Sequence, residues 1–408
     1  MDCSLTTSVL IILSCLWAAM AGRTKLYQSK GQDGMFEPPP VGSCSLCKAM
    51  VEPQGYACQE HSVTTQDGYV LGVQRMQISR SGKKADKPPV LLQHGIFIDG
   101  GTWLLNSPDQ SLAFILVDNG YDVWIANTRG TICSMAHKSL SPDDSAYWEW
   151  SWDELVAFDL PATVQYVHDQ TAQKLHYVGH SLGTLIALAA VSRGQLLHML
   201  RSAALLCPIA HLNQIRSPLI KVAADMLLAT DLYWLGLREF VPGEQAVTKL
   251  IEDACKTTGA DCSFLMPAFT GPTCCVNNSK IDAFLNNEPQ PTSTKNVIHL
   301  CQMIKTGDIN MYDYGNKDDN MNHYQQPTPP IYDMTNVPKD LPLYLAYGGQ
   351  DTLADVNDVQ VLLGNLKDHD KDKLVIQYVE GYAHVDFVFG VNANQLVYNP
   401  MVAFFGIN

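Results

Sequence analysis

The residues that most clearly predict chemistry form the pentapeptide G-H-S-L-G at positions 179–183, which matches the pattern G-x-S-x-G. Its central residue, Ser181, follows a predicted strand at 174–178 and precedes a predicted helix of small and apolar residues at 182–192. A sharp strand–turn–helix connection of this kind presents a serine hydroxyl as a nucleophile, and the two glycines leave room for the turn. The competing interpretation is a serine that only caps the helix.

A serine hydroxyl is a weak nucleophile until an oriented base removes its proton, and that base is commonly a histidine held by a carboxylate. After a serine in such a turn, the acid and then the histidine follow in chain order, each in the loop after a late strand. Asp351 follows a predicted strand at 341–347, and His384 follows a predicted strand at 374–379. Asp355 competes for the role of the acid, but it is better placed to cap the next helix. We therefore predict a triad of Ser181, His384 and Asp351.

Acyl transfer also requires N–H groups that stabilise the oxyanion of the tetrahedral intermediate. One such donor is the backbone N–H after the nucleophile, here Leu182, and the other comes from the loop after an early strand. The apolar run at 89–94 predicts that strand, so we assign the second donor to Ile96. His94, just before it, could be a metal ligand or a base, but we interpret it as a residue that holds this loop. No metal ligands are predicted.

The elements that must position these residues alternate between strands and helices. A hairpin is predicted over 60–66 and 69–79, with a turn at 67–68, and further strands at 89–94, 121–126, 174–178, 203–207, 341–347 and 374–379. Helices are predicted at 153–169, 182–192 and 355–366 and at the C-terminus. This alternation predicts an α/β fold in which helices cover both faces of a mostly parallel sheet.

The alternation of strands and helices stops between residues 211 and 336. This part of the chain contains helical stretches and cysteines and has a Pro-rich segment near its end. We interpret this block as a mainly helical cap inserted into a core formed by residues 56–210 and 337–408. Within the block, the segment 218–237 is strongly apolar. Such a segment either lines a binding pocket or packs as an ordinary helix inside the cap.

The first 21 residues predict a signal peptide, because an apolar run at 8–21 ends in an A-x-A site at Ala19 and Ala21. The segment lacks a basic residue at its start, and the alternative is a retained N-terminal anchor. Residues 22–55 are then an irregular leader, rich in Gly, Pro and Lys. A chain of this kind is expected in the secretory pathway.

The cysteines agree with that route, since ten remain after the signal peptide is removed, an even number that suits disulfides. Cys44 and Cys47 have the spacing of a redox or zinc half-site, but no second pair follows, so we favour a disulfide, with Cys58 as a candidate partner. The sequon N-N-S makes Asn277 the predicted glycosylation site. The formal net charge of −14, without a basic cluster, argues against nucleic-acid binding.

The motifs together resemble those of the acid lipase family, which comprises gastric and lysosomal lipases and their plant triacylglycerol lipase relatives. The resemblance runs from about Tyr56 to the C-terminus. Leu182, where animal members carry Gln, is similar to the plant branch, whereas the loop at 96–101 is bulkier than usual and the cap matches least. The segments that carry the resemblance are 91–95, Trp103, Asn106, 120–124, 127–130, 159–162, 175–184, 353–355 and 381–387.

The resemblance implies an α/β-hydrolase fold and a lipase that hydrolyses triacylglycerols, sterol esters or related lipids under a mobile cap, without a cofactor. Its expected partner is a lipid ester substrate, with transient contact between the cap and a lipid surface; the sequence indicates no oligomeric state. The expected location is extracellular or the lumen of a lysosome or vacuole. An acyltransferase that uses an alcohol in place of water would need the same residues, and a non-catalytic binding protein of this fold would usually lack one of the three.

Overall fold

The structure is a computed structural model that describes residues 44–217, 236–241, 270–280 and 288–408, with six single residues between these ranges. The predicted signal peptide and the leader up to residue 43 lie outside the described residues, as does most of the apolar segment 218–237. Among the helices of the described part, none is both long enough and apolar enough to cross a membrane.

Most of the described strands belong to one mixed sheet. Its strands are β1 (Ala57–Thr64), β2 (Tyr69–Ile78), β3 (Pro89–Gln93), β4 (Asp122–Ala126), β5 (Ala136–His137), β6 (Leu175–His180), β7 (Leu200–Leu206), β10 (Leu343–Gly348) and β11 (Leu374–Val379), while β8 (Glu239–Phe240) and β9 (Thr292–Ser293) pair separately. The order across the sheet is β1-β2-β4-β3-β6-β7-β10-β11, with β5 on β2. Pairs that involve β2 are antiparallel and all pairs from β4 to β11 are parallel. The predicted hairpin and the mostly parallel α/β sheet are therefore confirmed.

Helices cover both faces of this sheet. The described α-helices are α1 (Leu112–Asp118), α2 (Trp152–Glu154), α3 (Leu160–Thr171), α4 (Leu182–Ser192), α5 (Thr294–Thr306), α6 (Lys317–Tyr324), α7 (Val356–Asn365), α8 (Asp386–Phe389) and α9 (Asn399–Ile407). Successive side chains of a strand point to opposite faces. In β6 the ring of His176 stacks on Phe405 of α9, whereas Tyr177 donates its hydroxyl hydrogen to Gly183 O in α4. Helices α4 and α9 therefore lie on opposite faces.

Two predicted segments differ in detail from what the structure contains. The helix predicted at 153–169 is interrupted by a π-helical turn at Leu155–Asp159, which lies between α2 and α3. In the leader, residues Cys47–Val51 and Glu52–Gln54 form short helical turns rather than irregular chain. Val51 is fully buried there, so apolar packing stabilises this local order.

Disulfides attach the same N-terminal segment to the sheet domain. Cys47 is bridged to Cys58 and Cys44 to Cys133, which confirms the disulfide interpretation of the C-x-x-C pair. Cys274 and Cys275 are also bridged. The described part of residues 211–336 contains β8, β9, α5 and α6. Their interpretation as a cap stays a prediction.

Candidate active site

Ser181 lies in the sharp turn between β6 and α4, with φ +54° and ψ −118°. This backbone conformation is unfavourable for a residue with a Cβ and is tolerated where the surroundings enforce it. Both flanking positions require glycine because neither has room for a Cβ. A Cβ at Gly179 would lie 2.7 Å from the Gly183 carbonyl, and one at Gly183 would lie 2.6 Å from Gln93 O. The sequence motif therefore matches the strained turn that exposes a nucleophile.

His384 and Asp351 meet in the loops that follow β11 and β10. Their side chains are joined by a 2.8 Å hydrogen bond between His384 Nδ1 and Asp351 Oδ2, and both are buried. Since Nδ1–H donates to a carboxylate, Nε2 is left as the basic nitrogen of the ring. His384 Nε2 is buried and has no hydrogen-bond partner among the described residues. The His384 ring is thus held in one orientation, with Nε2 unpaired among the described residues, which is the arrangement that a general base requires.

Several hydrogen bonds hold Asp351 as an ionised group. Its Oδ1 accepts from Leu353 N at 2.8 Å and from Ala354 N at 2.9 Å, and Arg216 donates to its backbone oxygen at 2.8 Å. Burial alone would raise the pKa of Asp351, but the charge of His384 and the hydrogen bonds from the His384 ring, Leu353 N and the Cys207 thiol hold this pKa below its ordinary value. Asp351 is therefore an ionised carboxylate beside the His384 ring.

Asp355 has a different structural role from Asp351. Its Oδ1 accepts from Asn357 N at 2.8 Å and so caps α7, while Oδ2 pairs with Arg216. The predicted N-cap role of Asp355 is confirmed. The same Arg216 side chain contacts the backbone of Gly349 and Asp351, so this ion pair also orders the loop that carries the acid.

The loop after β3 packs directly against Ser181, because a Cβ at Gly95 would lie 2.9 Å from the Cβ of Ser181. Ile96 follows at once, and neither its N–H nor that of Leu182 finds an acceptor among the described residues. Free N–H groups beside the serine are what an oxyanion hole requires. His94 holds this loop: Nδ1 donates to Gly95 O at 2.7 Å and Nε2 accepts from Thr128 N at 3.1 Å.

Two residues that the sequence did not single out bind the backbone of His384. His180 Nε2 donates to His384 O at 3.1 Å, and Cys207 Sγ donates to the same oxygen at 3.3 Å. Burial and the nearby charge of His384 lower the pKa of His180 to about 3, so this ring stays neutral. Only their positions could have indicated these two residues, since His180 directly precedes Ser181 and Cys207 directly follows β7, at the same end of the parallel strands.

Asp386 is a third unassigned residue, two positions after His384. It accepts from Ala383 N at 2.8 Å and from the backbone N–H groups of Cys274 and Cys275 at 3.3 Å each. These bonds attach the histidine loop to residues 270–276, and His384 N adds a bond to Thr270 O at 3.1 Å. Asp386 therefore fixes the position of the loop that carries His384.

Two clusters in the described part have the donor types of a metal site. In His180, Cys207 and His384 the ligand atoms lie within 4.8 Å of one another, but the hydrogen bonds to the His384 carbonyl account for this approach. In the other cluster, formed with Asp386, Cys274 and Cys275 are bridged to each other. Neither arrangement calls for an ion.

Asn277 lies in the described segment 270–280 and is half-buried. Its side-chain oxygen accepts from the backbone N–H of Ser279 at 3.0 Å and from its hydroxyl at 2.9 Å. The glycosylation of Asn277 stays a prediction.

Comparison with known proteins gives consistent matches along the chain. A family model described as a partial alpha/beta-hydrolase lipase region matches residues 47–107, and one described as the alpha/beta hydrolase fold matches residues 88–390. Triacylglycerol lipase 2 of Arabidopsis thaliana is 45% identical over 98% of this chain and 96% of its own length. Triacylglycerol lipase 1 of the same plant is 40% identical, with coverage of 95% and 97%. Human gastric triacylglycerol lipase is 35% identical, with coverage of 87% and 89%.

Solved structures agree with the architecture. A soluble variant of monoglyceride lipase from Saccharomyces cerevisiae superposes with a TM-score of 0.55 at 15% identity, covering 91% of this chain and 98% of that one. A structure described as an open form of a lipase gives a TM-score of 0.53 at 15% identity, with coverage of 86% and 99%. At such low identity the likeness concerns the fold alone.

Proposed function

Because the chain belongs to the acid lipase family of the α/β-hydrolase fold, it is a carboxylic ester hydrolase, and we propose that Ser181, His384 and Asp351 carry its activity. The observation that most supports this assignment is the 2.8 Å bond from His384 Nδ1 to Asp351, which leaves Nε2 free at the sheet edge where Ser181 stands. Three residues far apart in sequence then supply a nucleophile, its base and the group that orients the base.

In the proposed mechanism, Ser181 Oγ attacks the ester carbonyl while His384 Nε2 takes up the serine proton. The negative charge of Asp351 stabilises the imidazolium that forms. The oxyanion of the tetrahedral intermediate accepts hydrogen bonds from the N–H groups of Ile96 and Leu182. When the intermediate collapses, His384 returns its proton to the departing alcohol. Water, activated by the same histidine, then hydrolyses the acyl-enzyme.

The proposed substrates are fatty-acid esters of the triacylglycerol or sterol-ester type. Relatives of this chain are named triacylglycerol lipases. The apolar segment 218–237 in the predicted cap suits an acyl pocket, and Trp234, one of its few described residues, is 76% exposed. An exposed aromatic side chain of this kind also suits contact between the cap and a lipid surface.

We further assign the protein to the secretory pathway, with the extracellular space or a lysosomal or vacuolar lumen as its destination. The predicted signal peptide, the bridges Cys44–Cys133 and Cys47–Cys58, and the sequon at Asn277 support this route.

A fluorophosphonate probe tests the nucleophile. The folded protein should form one adduct, on the peptide that contains residues 179–183, and Ser181→Ala should abolish both the adduct and ester hydrolysis. An adduct elsewhere, or hydrolysis by Ser181→Ala, would overturn the assignment. Product analysis with added acceptor alcohols separates the hydrolase from the acyltransferase alternative, since the alternative predicts that esters form in preference to free fatty acid.

A further inference from the structure

The loop proposed to carry an oxyanion donor is strained and is held from outside. Phe97, next to Ile96, has φ +62°, in the left-handed region. A segment almost 200 residues later in the chain holds the backbone of this loop through two hydrogen bonds. Gln290 N donates to Phe97 O at 2.8 Å, and Asp99 N donates to Glu288 Oε1 at 3.1 Å. Gln290 therefore binds the strained residue itself, and Glu288 binds the residue two positions later.

The same contact buries two acidic side chains together. Asp99 and Glu288 are each 5% exposed. Asp99 uses Oδ1 to accept from Gly101 N at 2.7 Å, which caps the short 3₁₀ turn at Gly100–Trp103. Glu288 Oε2 is buried and meets no hydrogen-bond donor among the described residues. A proton on this oxygen would turn it into a donor toward the Asp99 carboxylate, as in other closely paired carboxyl groups.

The surroundings favour that proton. Burial raises the pKa of Asp99 to about 6, and burial together with the charge of Asp99 raises the pKa of Glu288 well above its ordinary value. Among the described residues, the ionisable group that acts on Asp99 is Glu288 and the one that acts on Glu288 is Asp99. Hydrogen bonds from the Gly101 N–H to Asp99 and from the neutral Gln290 side chain to Glu288 act in the opposite direction to burial. Within the described part of the chain, neither carboxyl has a basic partner.

We propose that Glu288 is a positioning residue for ester hydrolysis: its carboxyl shares one proton with Asp99 and so holds the loop that presents the Ile96 N–H to the oxyanion. This inference rests on the proposed function. When the pH rises enough to remove the shared proton, two buried anions repel each other and the contact between Glu288 and the loop is lost. Turnover should therefore fall on the alkaline side before the protein unfolds.

Glu288→Gln tests this directly, because its amide oxygen can still accept from Asp99 N while its NH₂ replaces the shared proton permanently. The readout is the pH profile of kcat with a water-soluble ester, with folding monitored by circular dichroism at each pH. We expect Glu288→Gln to keep kcat within about twofold of the wild type at acidic pH. On the alkaline side, kcat of this variant should fall at a pH about one unit or more higher than in the wild type. Glu288→Ala should lower kcat about tenfold with little change in KM.

Asp153→Asn is the matched control. Asp153 is also a buried carboxyl whose pKa burial raises to about 6, but it accepts from Tyr312 N and the Tyr332 hydroxyl and lies 4.0 Å from His299 Nδ1. Within the described part of the chain it forms no hydrogen bond or ion pair with residues 96–99. This variant should leave the alkaline limb unchanged. The inference is overturned if the profile of Glu288→Gln coincides with that of the wild type, or if Asp153→Asn shifts the limb equally. Activity in Ser181→Ala would instead overturn the proposed function. If Glu288→Ala does not fold, Glu288→Gln alone decides.

Discussion

Replacing Asp351 by Asn tests whether this residue, rather than its neighbour Asp355, is the acid of the proposed triad. In the wild type, Oδ1 accepts from the N–H groups of Leu353 and Ala354, and Oδ2 accepts from His384 Nδ1. In Asp351→Asn the amide oxygen will keep the two backbone bonds, since the NH₂ group cannot accept them. The NH₂ group then faces His384 Nδ1, which must become an acceptor. The proton moves to Nε2, so the ring can no longer accept the serine proton.

The expected loss follows from that change of tautomer. The same substitution in a serine protease triad lowers kcat by roughly 10⁴, which corresponds to about 5 kcal/mol of barrier. Stability should change less, because the two backbone bonds survive. Asp355→Asn should behave differently, since Asn remains a good helix N-cap. Its ion pair with Arg216, whose side chain is 48% exposed, is worth about 1 kcal/mol or less.

The assay is kcat at saturating ester for both variants, together with the rate of fluorophosphonate labelling and a thermal unfolding curve. We expect labelling and turnover to fall in parallel for Asp351→Asn, and Asp355→Asn to stay within a few-fold of the wild type. If Asp355→Asn loses most of its activity while Asp351→Asn still turns over, the acid is Asp355 and the assignment of Asp351 is refuted.

Three further predictions concern stability, substrate and processing. Burial raises the pKa of Asp153 to about 6, so the folded state binds the proton of this carboxyl more tightly than the unfolded state does. The stability that this proton contributes is therefore present below about pH 4 and is lost as the pH rises through 6. Chemical denaturation measures the free energy of unfolding. Between pH 4 and 8 this free energy should decline less in Asp153→Asn than in the wild type, by up to about 3 kcal/mol. A graded ester series should give higher kcat/KM for long acyl chains, and a preference for short soluble esters throughout would indicate a general esterase instead. Sequencing of the secreted protein should start at Gly22, and Asn277→Gln should remove any N-linked glycan.

The sequence determined those parts of the fold in which structure depends on near neighbours. Helix α4 and strand β11 have the predicted bounds, because the apolar pattern changes sharply at their ends. Ser181 could be recognised for the same reason, since the turn, its two glycines and the flanking elements lie within a few consecutive residues. By contrast, the interruption of the predicted helix at Leu155–Asp159 left no clear signal, because a π-helical turn keeps a nearly helical pattern of side chains.

The tertiary structure decided what depends on residues that are distant in the chain. Asp351 and Asp355 both follow β10 in plausible positions, and only the packing of the two loops shows that Asp351 contacts His384 while Asp355 caps α7. The pairing of Glu288 with Asp99 spans 189 residues and has no signature in either local sequence. Burial brings such groups together and changes their proton affinity, and burial is a property of the assembled fold, because it depends on every element that excludes water from the site.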